Sequence, residues 1–264
     1  MHPIERLRMV ARAAGEGPAL LAQEAAGALA AFAGDPAGLV TACRRLVDRQ
    51  PTSGPIWWLS ARVLASDDPT GEAWRAAEEL SDDDTPSVLA AHLPDDATVC
   101  VIGRPELAEE ALIRRGDLPV LVVDALGEGH GLARRLARAG SDAELVPESG
   151  LGAAAAAADV VLLEAAALGP TGFVAISGSR AAGAVARQAG RPVWLVAGVG
   201  RVLPSPLWAA LARRLGPAEW DGDEELVPID LIDTVAGPDG PVDPARALST
   251  PGCPAVPELL REVR

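Results

Sequence analysis

The sequence predicts an α/β protein of two parts, a helical amino-terminal domain over residues 1–93 and a mostly parallel-sheet domain over residues 94–264. Three observations predict it. Apolar residues recur three and four apart up to about residue 93, short β-rich runs begin after residue 98, and helix-length segments separate those runs.

In the first part the periodic positions are Leu20, Leu21, Ala25, Leu29 and Phe32, followed by Leu39, Ala42, Cys43 and Leu46. Gly34-Asp35-Pro36 ends one helix and opens the next, and Pro51-Thr52-Ser53-Gly54-Pro55 precedes a helix carrying Trp57 and Trp58. Ser66-Asp67-Asp68-Pro69 and Ser81-Asp82-Asp83-Asp84 read as loops with capping side chains. They lack the ordered ligand spacing and closing glutamate of a calcium loop, so no metal is expected there.

In the second part the strand runs are residues 99–102, 120–123, 143–146, 160–163 and 193–197. The crossover helices are residues 106–115, 131–139, 153–158 and 179–188. Strands apolar at every position are buried on both faces, which demands a mostly parallel sheet covered by helices. Ligands of such sheets bind beyond the carboxyl ends of the strands, so the loops after Ile102, Val123, Val146, Leu163 and Ala197 are the functional candidates.

Composition excludes several functions. A net charge of −14 and a pI near 4.6 leave no broad phosphate-neutralising surface, so no nucleic-acid partner is expected. Arg134, Arg135 and Arg138 then read as a solvated helix face. Cys43, Cys100 and Cys253 are far apart and form no CxxC pair, which fits reduced thiols in a cytoplasmic protein and neither a disulfide framework nor a zinc site. Met1-His2-Pro3-Ile4-Glu5-Arg6 is polar and unlike a signal peptide. The apolar run at 193–199 is far shorter than the ~20 residues of a spanning helix, and no membrane role is expected. Gly127-Glu128-Gly129-His130-Gly131 follows the second strand instead of the first, and so fails as a dinucleotide fingerprint; no cofactor is expected.

Four stretches of the second part, read in order, resemble the α, β and δ subunits of translation initiation factor 2B, a family that includes methylthioribose-1-phosphate and ribose-1,5-bisphosphate isomerases. Pro119-Val120-Leu121-Val122-Val123-Asp124 and the helix at 132–140 resemble the family's strand ending in an acid-serine-arginine-proline motif. Asp159-Val160-Val161-Leu162-Leu163-Glu164-Ala165 resembles the strand entering its glycine-alanine-aspartate motif. Gly172-Phe173-Val174-Ala175-Ile176-Ser177-Gly178-Ser179 resembles the glycine-threonine helix, and Val227-Pro228-Ile229-Asp230-Leu231-Ile232-Asp233 the carboxy-terminal signature. Gln50-Pro51-Thr52-Ser53 is similar to an arginine-proline-threonine element of the helical domain.

The resemblance implies a helical domain on a Rossmann-like α/β domain of the NagB/RpiA/CoA-transferase type and a homo-oligomer assembled through that second domain, and the apolar positions Trp194 and Trp208 near the last strands are candidate contacts. It also implies where chemistry should sit. The isomerases use a cysteine after the first strand of this domain and an aspartate after the fourth, to move a proton between sugar carbons. Here Gly103 falls at the cysteine position and Ala165 or Ala166 at the aspartate position, while Cys100 lies within the strand as an apolar filler. Leu126 and Gln50 stand where arginines should grip phosphate. Asp124 survives and reads first as a helix cap. Arg104 is either a replacement guanidinium or an exposed loop residue. No catalytic residue is assigned.

A ligand site is expected at Gly103, Arg104, Asp124, Gly178, Ser179 and Arg180, with an anion against the helix that opens near Gly178. The competing reading of that helix start is an ordinary serine cap. His130, on a ligand-side loop, is an acid/base candidate or simply exposed, and His92 a helix-end cation. Trp57, Trp58, Trp74, Trp194, Trp208 and Trp220 read as core or interface anchors. The functional expectation is a non-catalytic initiation factor 2B subunit-like protein acting in subunit association, with a phosphorylated metabolite as candidate ligand. The alternatives are a diverged sugar-phosphate isomerase and a structural partner of another enzyme.

Overall fold

Proline and aspartate set the helix starts of the first part. Asp35 and Asp68 accept the backbone N–H of Gly38 and Gly71 at 2.9 and 3.0 Å, ahead of helices that open on Pro36 and Pro69. The computed structural model describes residues 18–32, 34–215 and 221–261. Trp220 and the reading of residues 1–6 lie outside the described residues. The helices are α1 (Pro18–Leu29), α2 (Pro36–Arg49), α3 (Gly54–Ala65), α4 (Pro69–Ser81) and α5 (Thr85–His92).

Helix α3 is buried from Gly54 to Ala61 and again at Val63, so it lies at the centre of this part and needs cover on every side. Helices α1, α2 and α4 cover some of it. The rest comes from beyond residue 94: Leu207, Trp208 and Leu211 of α10 (Ser205–Ala212), and Cys253, Val256 and Leu259, join the same core as Trp57 and Trp58. Packing crosses residue 93 in the other direction too. Leu89, Ala90 and Leu93, on and just after α5, pack with Val99, Val101 and Leu112.

The main sheet contains β1 (Val99–Ile102), β2 (Val120–Asp124), β3 (Ala143–Pro147), β4 (Val160–Glu164), β7 (Val193–Val196), β9 (Thr234–Gly237) and β10 (Gly240–Val242). Its order is β10-β9-β7-β4-β1-β2-β3, parallel except for the β9–β10 hairpin. Successive residues alternate between faces. Val99 and Val101 meet α6 (Glu106–Arg115) and α7 (Gly129–Ala139), whereas Cys100 and Ile102 meet α8 (Leu151–Ala157) and α9 (Ser179–Gln188). The chain runs outward from β1 through β2 to β3, then returns to place β4 on the other side of β1. That reversal opens a crevice at the carboxyl ends of β1 and β4.

A second sheet, absent from the sequence reading, stands beside it. It comprises β5 (Ala167–Gly169), β6 (Gly172–Ile176) and β8 (Glu224–Pro228), all antiparallel. Among the described residues no helix is long and apolar enough to cross a membrane.

Asp83 fastens the two parts together. One oxygen accepts the N–H and hydroxyl of Thr85, and the other accepts the N–H of Val199 at 2.9 Å, in the loop between β7 and α10. Asp83→Ala is expected to lower stability in urea titration by about 1–3 kcal/mol, because buried donors lose their acceptor. The neighbouring Asp82→Ala should stay within about 0.5 kcal/mol of the parent.

Candidate functional site

The carboxyl edge of the sheet brings together most of the residues expected to form a site. Gly103 follows β1 with φ +63°, a conformation that favours glycine. A Cβ built there would overlap Cδ1 of Ile176. The volume where a side chain would leave residue 103 is therefore filled by the last residue of β6.

Arg104 is exposed and turns to Glu109 on α6, with Nε 3.5 Å from Oε2. Glu109 is already held by Arg135 of α7. Asp124 closes β2 and accepts the N–H of Gly129 at 2.9 Å, so its carboxylate holds the start of α7 while Glu128 occupies the N-cap position. Its second oxygen lies 3.4 Å from Nε2 of the exposed His130. Leu126, in the intervening turn, adopts φ +56° and is half exposed, so no guanidinium stands at that position.

The start of α9 differs from the anion cradle expected at Gly178, Ser179 and Arg180. Gly178 has φ +99° and Ser179 is buried, but the N–H of Arg180 donates to Oε1 of Glu225 on β8 at 2.9 Å. An internal carboxylate occupies this helix terminus. The same substitution of a side chain for a ligand recurs at α6, where Glu164 accepts the N–H groups of Glu106, Leu107 and Ala108 at 3.1, 2.9 and 3.1 Å. Arg201, only 2% exposed, adds a bond to Glu164 at 2.9 Å and another to the carbonyl of Ala165 at 2.6 Å. Three helix starts at this edge, those of α6, α7 and α9, thus hold carboxylates of the protein itself. Each supplies the negative charge that a bound anion would otherwise bring.

Two further carboxyls in the crevice are strained by their surroundings. Burial raises Glu106 above the usual carboxylate range, and Glu164 adds to this against the opposing pull of Arg201 and Arg104. Burial also raises Glu224, with a hydrogen bond from Thr52 opposing it and Asp223 reinforcing it. Thr52 and Ser53 lead into α3, whose Gly54 N–H donates to the carbonyl of Ala166 at 2.9 Å. The amino end of α3 therefore abuts the crevice.

The positions of isomerase chemistry carry no reacting group. Ala165 is fully buried and Ala166 is tied by its backbone to Val174 and Gly54. Cys100 is buried within β1, and burial pushes its thiol up to about 12. His92 lies in the last turn of α5 and contacts the carbonyl of Val88 through Nδ1. Among the described residues no group of three or more histidine, cysteine, aspartate or glutamate side chains forms a metal cage.

Sequence reasoning missed Ile176, Glu164, Arg201 and Glu225. An acidic residue ending an otherwise apolar strand was the available signal for Glu164. Trp208 requires a correction as a partner contact: it is buried, and its Nε1 donates to Thr171 Oγ1 at 2.8 Å, because α10 turns into the core around α3. Trp194 is half-buried and Trp74 is exposed.

No family model and no curated protein matches the sequence. The architecture, a helical part on a Rossmann-like sheet, is that of the translation initiation factor 2B subunits. Pyrococcus horikoshii OT3 translation initiation factor eIF-2B superposes with a TM-score of 0.78 at 16% identity, covering 93% of this chain and 98% of that one. The eIF2B β subunit of Chaetomium thermophilum gives 0.73 at 19% identity, covering 92% and 86%. A chain of the tetrameric eIF2B β2δ2 complex of C. thermophilum gives 0.75 at 19% identity, covering 94% and 92%. The chain shares this fold along nearly its whole length.

Two measurements examine the crevice. Gly103→Ala and Ile176→Ala should each destabilise the protein, yet the double variant should be less destabilised than their sum, with a coupling of about 0.5–3 kcal/mol in urea titration. Glu106 binds its proton more tightly folded than unfolded. Its favourable contribution is complete below the unfolded carboxyl pKa of about 4.3 and is lost as pH rises through its raised folded value. Glu106→Gln should therefore raise the thermal midpoint at pH 7, with the gain vanishing towards pH 4.

Proposed function

We propose that this chain is a non-catalytic member of the initiation factor 2B α/β/δ subunit family and that it acts through subunit association. The observation that carries the reading is the occupied crevice: Ile176 fills the space beside Gly103, and Glu164, Asp124 and Glu225 hold the helix starts. An aldose-ketose isomerase needs an acid and a base facing one carbon, and residues 103, 165 and 166 supply neither. A phosphorylated metabolite at Gly178–Arg180 would have to displace Glu225, so the ligand half of the expectation has less support than the assembly half.

In this reading residues 1–93 and 94–264 are the two domains, with self-association through the second. A solved chain of the same fold belongs to a tetrameric β2δ2 complex, and this supports the assembly reading. Sedimentation velocity at micromolar concentration should give a dimer or larger species. A 27 kDa species alone would overturn the assembly reading. Proton NMR with methylthioribose 1-phosphate or ribose 1,5-bisphosphate should show no conversion, whereas turnover that survives Cys100→Ser would return the isomerase reading to first place.

A further inference from the structure

The chain ends its described course with a segment whose sequence repeats every three residues. Prolines stand at 251, 254 and 257, and the buried residues Cys253, Val256 and Leu259 keep the same spacing at 7%, 6% and 0% exposure. Gly252, Pro254, Ala255 and Pro257 are exposed. Over residues 251–256 a period of three matches an extended polyproline-like course, which leaves its carbonyls to be read by a partner; from Pro257 the chain enters a 3-10 turn, with internal bonds from Leu259 to Val256 and from Leu260 to Pro257. Here carbonyls are read by side chains. Trp58 Nε1 on α3 donates to the carbonyl of Gly252 at 2.9 Å, Arg44 Nε on α2 to that of Glu258 at 2.6 Å, and Arg213 Nη2 beyond α10 to that of Leu260 at 3.4 Å.

The fit at the aromatic end is close. A Cβ at Gly252 would lie 2.9 Å from Trp58 Nε1, so glycine is what lets the carbonyl reach the indole. Arg62 stacks over the Trp58 ring at 4.5 Å and holds it in place. The segment has little structure of its own beyond a single 3-10 turn at Pro257–Leu259. An aromatic donor, two arginines aimed at backbone carbonyls and an apolar core that takes up Cys253, Val256 and Leu259 form a peptide-recognition groove.

We propose that the groove formed by α2, α3 and the end of α10 is a binding site for a peptide with prolines three apart and an apolar residue before the second and third, occupied here in cis by residues 249–261.

The test uses the full chain. A protease recognition sequence placed at residues 248–250 is cut in the folded protein, and the protein is passed over a sizing column. The carboxy-terminal fragment should remain bound, and a fluorescent synthetic peptide of residues 249–261 should exchange with it, raising fluorescence anisotropy to saturation. The same peptide with Val256→Asp should bind at least tenfold more weakly. In the uncut protein, Trp58→Phe keeps an aromatic ring but removes the donor, and should speed uptake of the label. Loss of far-UV circular dichroism on cutting would make the segment an inseparable part of the core and overturn the proposal. Equal binding of the Val256→Asp peptide, or release of the fragment without uptake of label, would overturn it as well.

Discussion

The carboxylate of Glu164 is the point on which the two parts of the molecule depend. It ends β4, receives three backbone N–H groups from the start of α6, and neutralises Arg201, a guanidinium withdrawn almost wholly from water. A buried cation without such a partner is strongly destabilising, so the loop bearing Arg201 has little freedom to sit elsewhere. That loop leads directly into α10, and α10 supplies cover for α3. A side chain at the tip of one strand thus fixes the path by which the sheet reaches into the helical core.

The same kind of interaction recurs along the carboxyl edge of the sheet. Helix starts expose N–H groups that demand negative charge or water. In this chain α6, α7 and α9 take it from Glu164, Asp124 and Glu225. The fold keeps its crevice because the crevice is made by the strand order, while its chemistry is set by a few side chains that can change independently. Sharing a fold with initiation factor 2B subunits is therefore informative about architecture, and the occupied helix starts are informative about what the crevice does.

What could be read from sequence divides along the range of the interactions. Strands β1, β2, β4 and β7 were legible because burial on both faces leaves a run of aliphatic residues, and the helices because their apolar spacing is local. Strands β5 and β8 were not: the first has three residues, and the second carries two glutamates and gains its place only by pairing with β6. The role of Asp124 at a helix start was legible because its target, Gly129, is nearby. Glu225 was not, since it lies 45 residues from Arg180, and neither was the contact of Ile176 with Gly103, which joins two different sheets.

Trp208 illustrates a different limit. Its position near the last strands suggested an outward-facing anchor, yet the central placement of α3 requires cover that α1, α2 and α4 do not complete. Trp208 and the segment around Val256 supply it from opposite directions. A helix apolar all round recruits distant pieces of chain, so the length of its buried stripe was the sequence signal. Gly54-Pro55-Ile56-Trp57-Trp58-Leu59 already carried that signal, and the tryptophan at 58, with one N–H to satisfy, requires the recruited piece to offer an acceptor, here the carbonyl of Gly252.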